Sequence, residues 1–136
     1  MPPFSIRQID HVVLRASDPQ RLVAFYRDVL GCALAHQQPA IGLFHLRAGS
    51  ALIDIMDRSG RLASDGDLEP QRARRNLDHL CLRIDPFDAD AILDHLAAHD
   101  VAVQPPARRF GAEGEGPSIY LFDPEGNMVE LKGGAG

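Results

Sequence analysis

Ile9-Asp10-His11-Val12-Val13-Leu14-Arg15 lies near the start of the chain, and Leu77-Asp78-His79-Leu80-Cys81-Leu82-Arg83 returns 68 residues later. Each is a strand-like run with one His and an Arg four residues further on. A near copy of this length within 136 residues predicts two similar halves. Two similar halves facing each other would bring His11 and His79 to related places around one site.

Working outward from the first copy, Gln8–Arg15 alternates around β-branched residues and predicts a strand. Ser17-Asp18-Pro19 is a helix start, with a polar cap and Pro in the first turn. Leu22, Val23, Phe25, Tyr26, Val29 and Leu30 follow at helical spacing as a core stripe, and Gly31 ends the helix. Strands are predicted over 33–37, 42–47 and 51–56, with a turn at Gly49-Ser50. After the second copy, a strand over 76–84, the order repeats. Pro86-Phe87-Asp88 leads into a helix with Ile92, Leu93, Leu96 and Ala97 as its stripe. Val101–Val103 begins a strand, 108–116 reads as a Gly-rich charged loop, and Ser118–Phe122 and Met128–Lys132 form a hairpin around Asp123-Pro124-Glu125-Gly126-Asn127. Gly133–Gly136 reads as a frayed tail. The expected organisation is one α+β domain over 1–136, with a βαβββ module at 5–57, a polar linker at 58–75 and a second βαβββ module at 76–133. Side by side, the modules would make a curved mixed sheet with a concave metal-binding cup.

Composition narrows the function classes. The formal net charge of -5 supplies no basic face for nucleic acid. No apolar run reaches the ~18 residues of a spanning helix, and the N-terminus does not read as a signal peptide, so a cytoplasmic protein is expected. Cys32 and Cys81 lack CxxC spacing and read as two reduced core thiols.

Strand parity selects the residues that can carry chemistry. His11, Val13 and Arg15 share one face, as do His79, Cys81 and Arg83. The last strand of each module carries an acid between apolar neighbours: Asp54 in Ala51-Leu52-Ile53-Asp54-Ile55-Met56, and Glu130 in Met128-Val129-Glu130-Leu131. Burying such an acid is costly unless it is paired or bound to a cation. His11, Asp54, His79 and Glu130 thus form a two-His, two-carboxylate set suited to a divalent first-row metal. Arg15 and Arg83 are candidate anion anchors or strand-end salt bridges. Tyr120 and Arg109 are candidate substrate contacts. His36, His45, His95 and His99 are expected on surfaces, and the Arg72–Arg75 cluster on a solvated face.

The chain resembles the vicinal oxygen chelate superfamily, which includes glyoxalase I, bleomycin-resistance proteins, fosfomycin-resistance enzymes and extradiol dioxygenases. The resemblance rests on Ile9–Arg15, on Phe25-Tyr26-Arg27-Asp28-Val29-Leu30-Gly31, on Asp78-His79 and on Asp123–Leu131. It implies paired βαβββ modules with a metal on the concave sheet, and metal ligands at His11, His79 and Glu130. Asp54 matches the fourth ligand position, where glyoxalase I-like members have Glu. Arg15 matches a position that contacts the glutathione carboxylate in those members.

The function implied is a metal-dependent lyase or isomerase of glyoxalase type, similar to lactoylglutathione lyase. One divalent metal per site (Ni, Co, Zn, Mn or Fe) would bind vicinal oxygens of a small substrate, such as a glutathione or other anionic conjugate. Asp54 or Glu130 would move a proton. Two alternatives stand beside it: an Fe(II) extradiol-type dioxygenase, and a non-catalytic protein that sequesters a drug or metabolite. A homodimer is expected, with no nucleic-acid or membrane partner.

Overall fold

The computed structural model describes residues 2–59 and 76–136. The first half runs β1 (His11–Ala16), α1 (Pro19–Ala24), β2 (Ala33–Gln38), β3 (Leu43–Ala48) and β4 (Ala51–Asp57). The second runs β5 (His79–Arg83), α2 (Ala89–Ala98), β6 (Ala107–Gly111), β7 (Gly114–Phe122) and β8 (Met128–Lys132). The chain divides into two compact units, Met1–Ser64 and Asp65–Gly136. Most of the expected linker and the whole Arg72–Arg75 cluster lie outside the described residues.

Each unit contains one four-stranded mixed sheet, ordered β1-β4-β3-β2 in the first and β5-β8-β7-β6 in the second. In both, the first strand pairs in parallel with the last, and the other pairs are antiparallel. The α+β class and the doubled βαβββ pattern are therefore as the repeat predicts. The registers also match: His11 lies opposite Leu52, two residues before Asp54, and His79 lies opposite Met128, two residues before Glu130.

In each sheet one face is core. Leu14, Ala16, Phe44, Leu46, Ile53 and Ile55 are buried in the first half, and Ile119, Leu121, Val129 and Leu131 in the second. The residues between them in sequence, including every expected metal ligand, project from the opposite face. Capping starts both helices. Asp18 Oδ1 accepts from the Arg21 amide at 3.1 Å, and Asp88 Oδ1 from that of Ala91 at 3.2 Å. The first helix changes character at Phe25–Val29, where a π turn takes over. Phe25 and Tyr26, adjacent in sequence, are both buried there and meet edge to face at 5.3 Å. Gly31, at φ 79°, ends the turn as the sequence predicts.

The second half departs from the sequence reading in four places. Val103 makes only an isolated bridge to Leu121, and the strand after α2 is β6 at Ala107–Gly111. The stretch read as a charged loop is a hairpin, with Gly114 at φ 102° in its turn. Its charges are those of an edge strand, where they discourage pairing with another chain. The tail is not frayed: the Gly133 amide donates to Pro117 O at 2.9 Å and the Gly136 amide to Glu115 O at 3.2 Å. A side chain on Gly116 would collide with the Gly134 carbonyl, which explains the glycine inside β7. Cys32 is buried as expected, but Cys81 is exposed, because parity places it on the His79 face.

Candidate functional site

Two tight turns set the phase of the acid-bearing strands. Gly49, at φ 60°, turns β3 into β4 so that Asp54 lies directly opposite His45. In the other half, buried Asp123 organises the turn before β8. Its Oδ1 accepts from the Glu125 and Asn127 amides at 2.9 Å each, and its Oδ2 from Asn127 Nδ2 at 2.9 Å. Glu130 then lies opposite Tyr120.

The second-half cluster centres on Glu130, which is 5% exposed. Ser118 Oγ donates to its Oε2 at 2.7 Å, and His79 Nε2 stands 3.2 Å from its Oε1. His79 Nδ1 lies 2.7 Å from Asp78 Oδ2. A carboxylate only accepts, so Nδ1 donates to Asp78, and Nε2 is the nitrogen that turns toward Glu130. Tyr120 sets its ring edge-on to His79 at 5.2 Å, and the Arg109 guanidinium lies 4.6 Å above the Tyr120 ring. Burial, and then the Glu130 charge, push the Tyr120 phenol above its ordinary pKa. Cys81 keeps solvent contact as a residue, but the atoms packed round its thiol, and then the Glu130 charge, push that thiol up to about 11.

The first half builds the same unit with different neighbours. His11 Nδ1 donates to Asp10 Oδ1 at 2.7 Å, and His11 Nε2 stands 3.9 Å from Asp54 Oδ2. The hydrogen bond to Asp10, and then the charge of Asp54, raise the His11 pKa. Asp54, 4% exposed, has its other oxygen held by His45 Nδ1 at 2.8 Å. His45 Nε2 in turn accepts from Gln38 Nε2 at 3.0 Å, so both ring nitrogens have partners. His36 stacks on His45 at 5.5 Å.

His45 was expected on the surface, and its partly buried bond to Asp54 corrects that reading. The available signal was its parity with Arg47 and Leu43 on a strand ending in a tight turn. His36 is exposed, as are His95 and His99, whose rings meet edge to face at 4.8 Å.

The structure thus brings His11 to Asp54, and His79 to Glu130. Among the described residues, no group of three or more His, Cys, Asp or Glu is gathered as a metal site. Each pair nevertheless fits cation chemistry. An imidazole is oriented through Nδ1 by an acidic residue, its Nε2 faces a buried carboxylate oxygen, and the second oxygen is held by the protein. Arg15 extends from the same face of β1, opposite Met56. Arg83 is engaged locally: its Nε donates to Glu113 Oε2 at 2.7 Å, and its Nη1 to the Ile84 carbonyl.

Sequence comparison matches residues 8–131 to the profile of the Glyoxalase/Bleomycin resistance protein/Dioxygenase superfamily. The chain is 32% identical over 129 residues to virulence protein STM3117 of Salmonella typhimurium, covering 93% of this chain and 83% of that protein. The crystal structure of STM3117 superposes with a TM-score of 0.80 at 25% identity, over 97% of this chain and 98% of that one. Glyoxalase domain-containing protein RDO1 of Mycosarcoma maydis is 34% identical over 129 residues, 94% of this chain and 69% of RDO1. The structure of lactoylglutathione lyase from Agrobacterium tumefaciens gives a TM-score of 0.67 at 26% identity, covering 98% of this chain and 96% of that one. The repeated fold, the paired imidazole–carboxylate units and a match along nearly the whole length agree: the chain belongs to the Glyoxalase/Bleomycin resistance protein/Dioxygenase superfamily.

Proposed function

We propose that this protein is a metal-dependent lyase or isomerase of glyoxalase type, with His11, His79, Glu130 and Asp54 as the metal-binding groups. The carrying observation is the matched register of the two imidazole–carboxylate units, His11 with Asp54 and His79 with Glu130. Members of the superfamily typically use a divalent metal and act on small molecules, and they include lyases, epimerases and transferases.

When bound, a divalent cation supplies Lewis-acid polarisation to paired substrate oxygens. The protein's own part is proton transfer and positioning. Asp54 Oδ2 and Glu130 Oε1 are the carboxylate oxygens not held by His45 or Ser118, and each can take a proton from a substrate carbon and return it to the neighbouring carbon. Such a transfer is redox-neutral. It suits the hemithioacetal formed from a 2-oxoaldehyde and glutathione. Arg15 and Tyr120 project from the faces that carry these carboxylates and are proposed to hold the substrate.

The test is turnover of methylglyoxal with glutathione by protein loaded in turn with nickel, cobalt, zinc and manganese, beside Glu130→Gln and Asp54→Asn. Loss of turnover with retained metal identifies the base; loss of both identifies a ligand. No turnover with any metal refutes the reaction. Oxygen uptake with a catechol under ferrous loading would replace it with the dioxygenase, and metabolite binding without metal would replace it with sequestration.

A further inference from the structure

The cations on the Glu130 face of the second half are not equivalent. Arg83 pairs with Glu113, and Lys132 Nζ donates to the carbonyls of Gly114 and Gly133 at 3.0 and 3.3 Å. Arg109 makes no hydrogen bond or ion pair among the described residues, and its Nε is buried without a partner. Its contact is with the Tyr120 ring, 4.6 Å below the guanidinium carbon. A ring covers the face of a guanidinium, while its N–H donors point outward in the guanidinium plane, and the buried Nε–H has no acceptor there. The residue opposite Arg109 on β7 is Gly116, so the neighbouring strand offers no side-chain acceptor there. Buried donors are nearly always satisfied, so an orphan beside a candidate site calls for an explanation.

We propose that Arg109, laid on Tyr120, binds an oxyanion (a carboxylate or a phosphate) carried by the substrate a few bonds from its metal-binding oxygens. Tyr120 contacts both Arg109 and His79, at 4.6 and 5.2 Å from its ring centre, which places the guanidinium carbon within about 10 Å of the His79 ring centre. Arg109, Tyr120 and Glu130 share one sheet face by register. An anion at Arg109 would therefore set which end of the substrate reaches His79 and Glu130. Arg109 acts as a specificity-determining residue, and the substrate class is an anionic vicinal-oxygen compound. This rests on the proposed role of His79 and Glu130 for its catalytic meaning, though not for anion binding itself.

The experiment follows the Arg109 Nε–Hε signal by NMR in metal-free protein titrated with inorganic phosphate and, separately, with acetate. A parallel zinc titration follows the His11 and His79 rings. A saturable shift of the Arg109 signal is expected with at least one anion, and the tighter of the two names the anion carried. Read on the Tyr120 ring signals, Arg109→Gln should weaken that binding about tenfold or more, with Arg109→Lys recovering part of it. An Arg109 signal unmoved by both anions while zinc binds overturns the inference and leaves the proposed function standing. Saturable anion binding without zinc binding does the reverse. Wild-type anion affinity in a folded Arg109→Gln protein also overturns the inference.

Discussion

Asp10 and Asp78 precede the two histidines, and each accepts from Nδ1 at 2.7 Å. If His11 and His79 bind a metal through Nε2, removing either acid should weaken the metal without removing a ligand. Outer carboxylates of this kind are worth about 10- to 100-fold in metal affinity. Asp10 and Asp78 are 85% and 88% exposed, so water competes for the bond and screens the charge. The effect therefore falls to the lower end of that range or below it, about three- to tenfold for each of Asp10→Ala and Asp78→Ala. The acids lie in different halves and share no partner, so the double variant should lose roughly the product, about 10- to 100-fold. Asn at either position keeps an acceptor for Nδ1 and should recover part of the loss. Zinc affinity measured against a competing chelator is the assay, with thermal melts confirming an unchanged fold.

The pH dependence adds a sign. Asp10 raises the His11 pKa, so in wild type the proton displaces metal from His11 at a higher pH than from an ordinary imidazole. Metal affinity is full above that raised pKa and falls as pH drops through it. Asp10→Ala should move the fall to lower pH while lowering affinity at pH 8. Unchanged affinity in both single variants would refute the assignment of His11 and His79 as ligands oriented through Nδ1.

Other outcomes follow from the same geometry. With its pKa pushed up to about 11, Cys81 should alkylate about a hundredfold more slowly at pH 8 than a thiol of ordinary pKa 9.0, as timed with iodoacetamide and mass spectrometry. Asp123→Ala removes the acceptor of three turn bonds and should cost about 3 kcal/mol, or a fall of about 10 °C in melting temperature. His45→Ala strands a buried Asp54 oxygen and should cost about 2–3 kcal/mol in chemical denaturation, with His45→Gln recovering part of it.

The repeat was legible because it is written twice. The strand parity of His11 and His79 and the two acids followed from a period of two, and the turn sequences fixed the phase of each acid. β6 was hidden because an edge strand resembles a loop: Arg108 and Phe110 point outward, and glycines accommodate the chain's own tail instead of a bend. His45 was hidden for a different reason. Its role depends on the residue across the β3–β4 ladder, and parity within one strand does not name the partner.

That cross-strand position is where the two halves part chemically. Register makes His45 the counterpart of Tyr120, since each faces the acid of its own half. His45 donates to Asp54 and is backed by Gln38, whereas Tyr120 leaves the holding of Glu130 to Ser118 and instead carries Arg109. The shorter Asp54 also stands further from its imidazole, 3.9 Å against 3.2 Å. Repeated donors suit a symmetric task such as holding a cation. An isomerisation is asymmetric: one carbon gives up a proton and its neighbour receives one. If the proposed isomerisation is the reaction, the unequal pair on β3 and β7 would supply that asymmetry, with His45 bonded to the carboxylate in the first half and an aromatic, cation-bearing Tyr120 in the second. Exchanging the pair, His45→Tyr with Tyr120→His, should therefore disturb turnover far more than metal affinity.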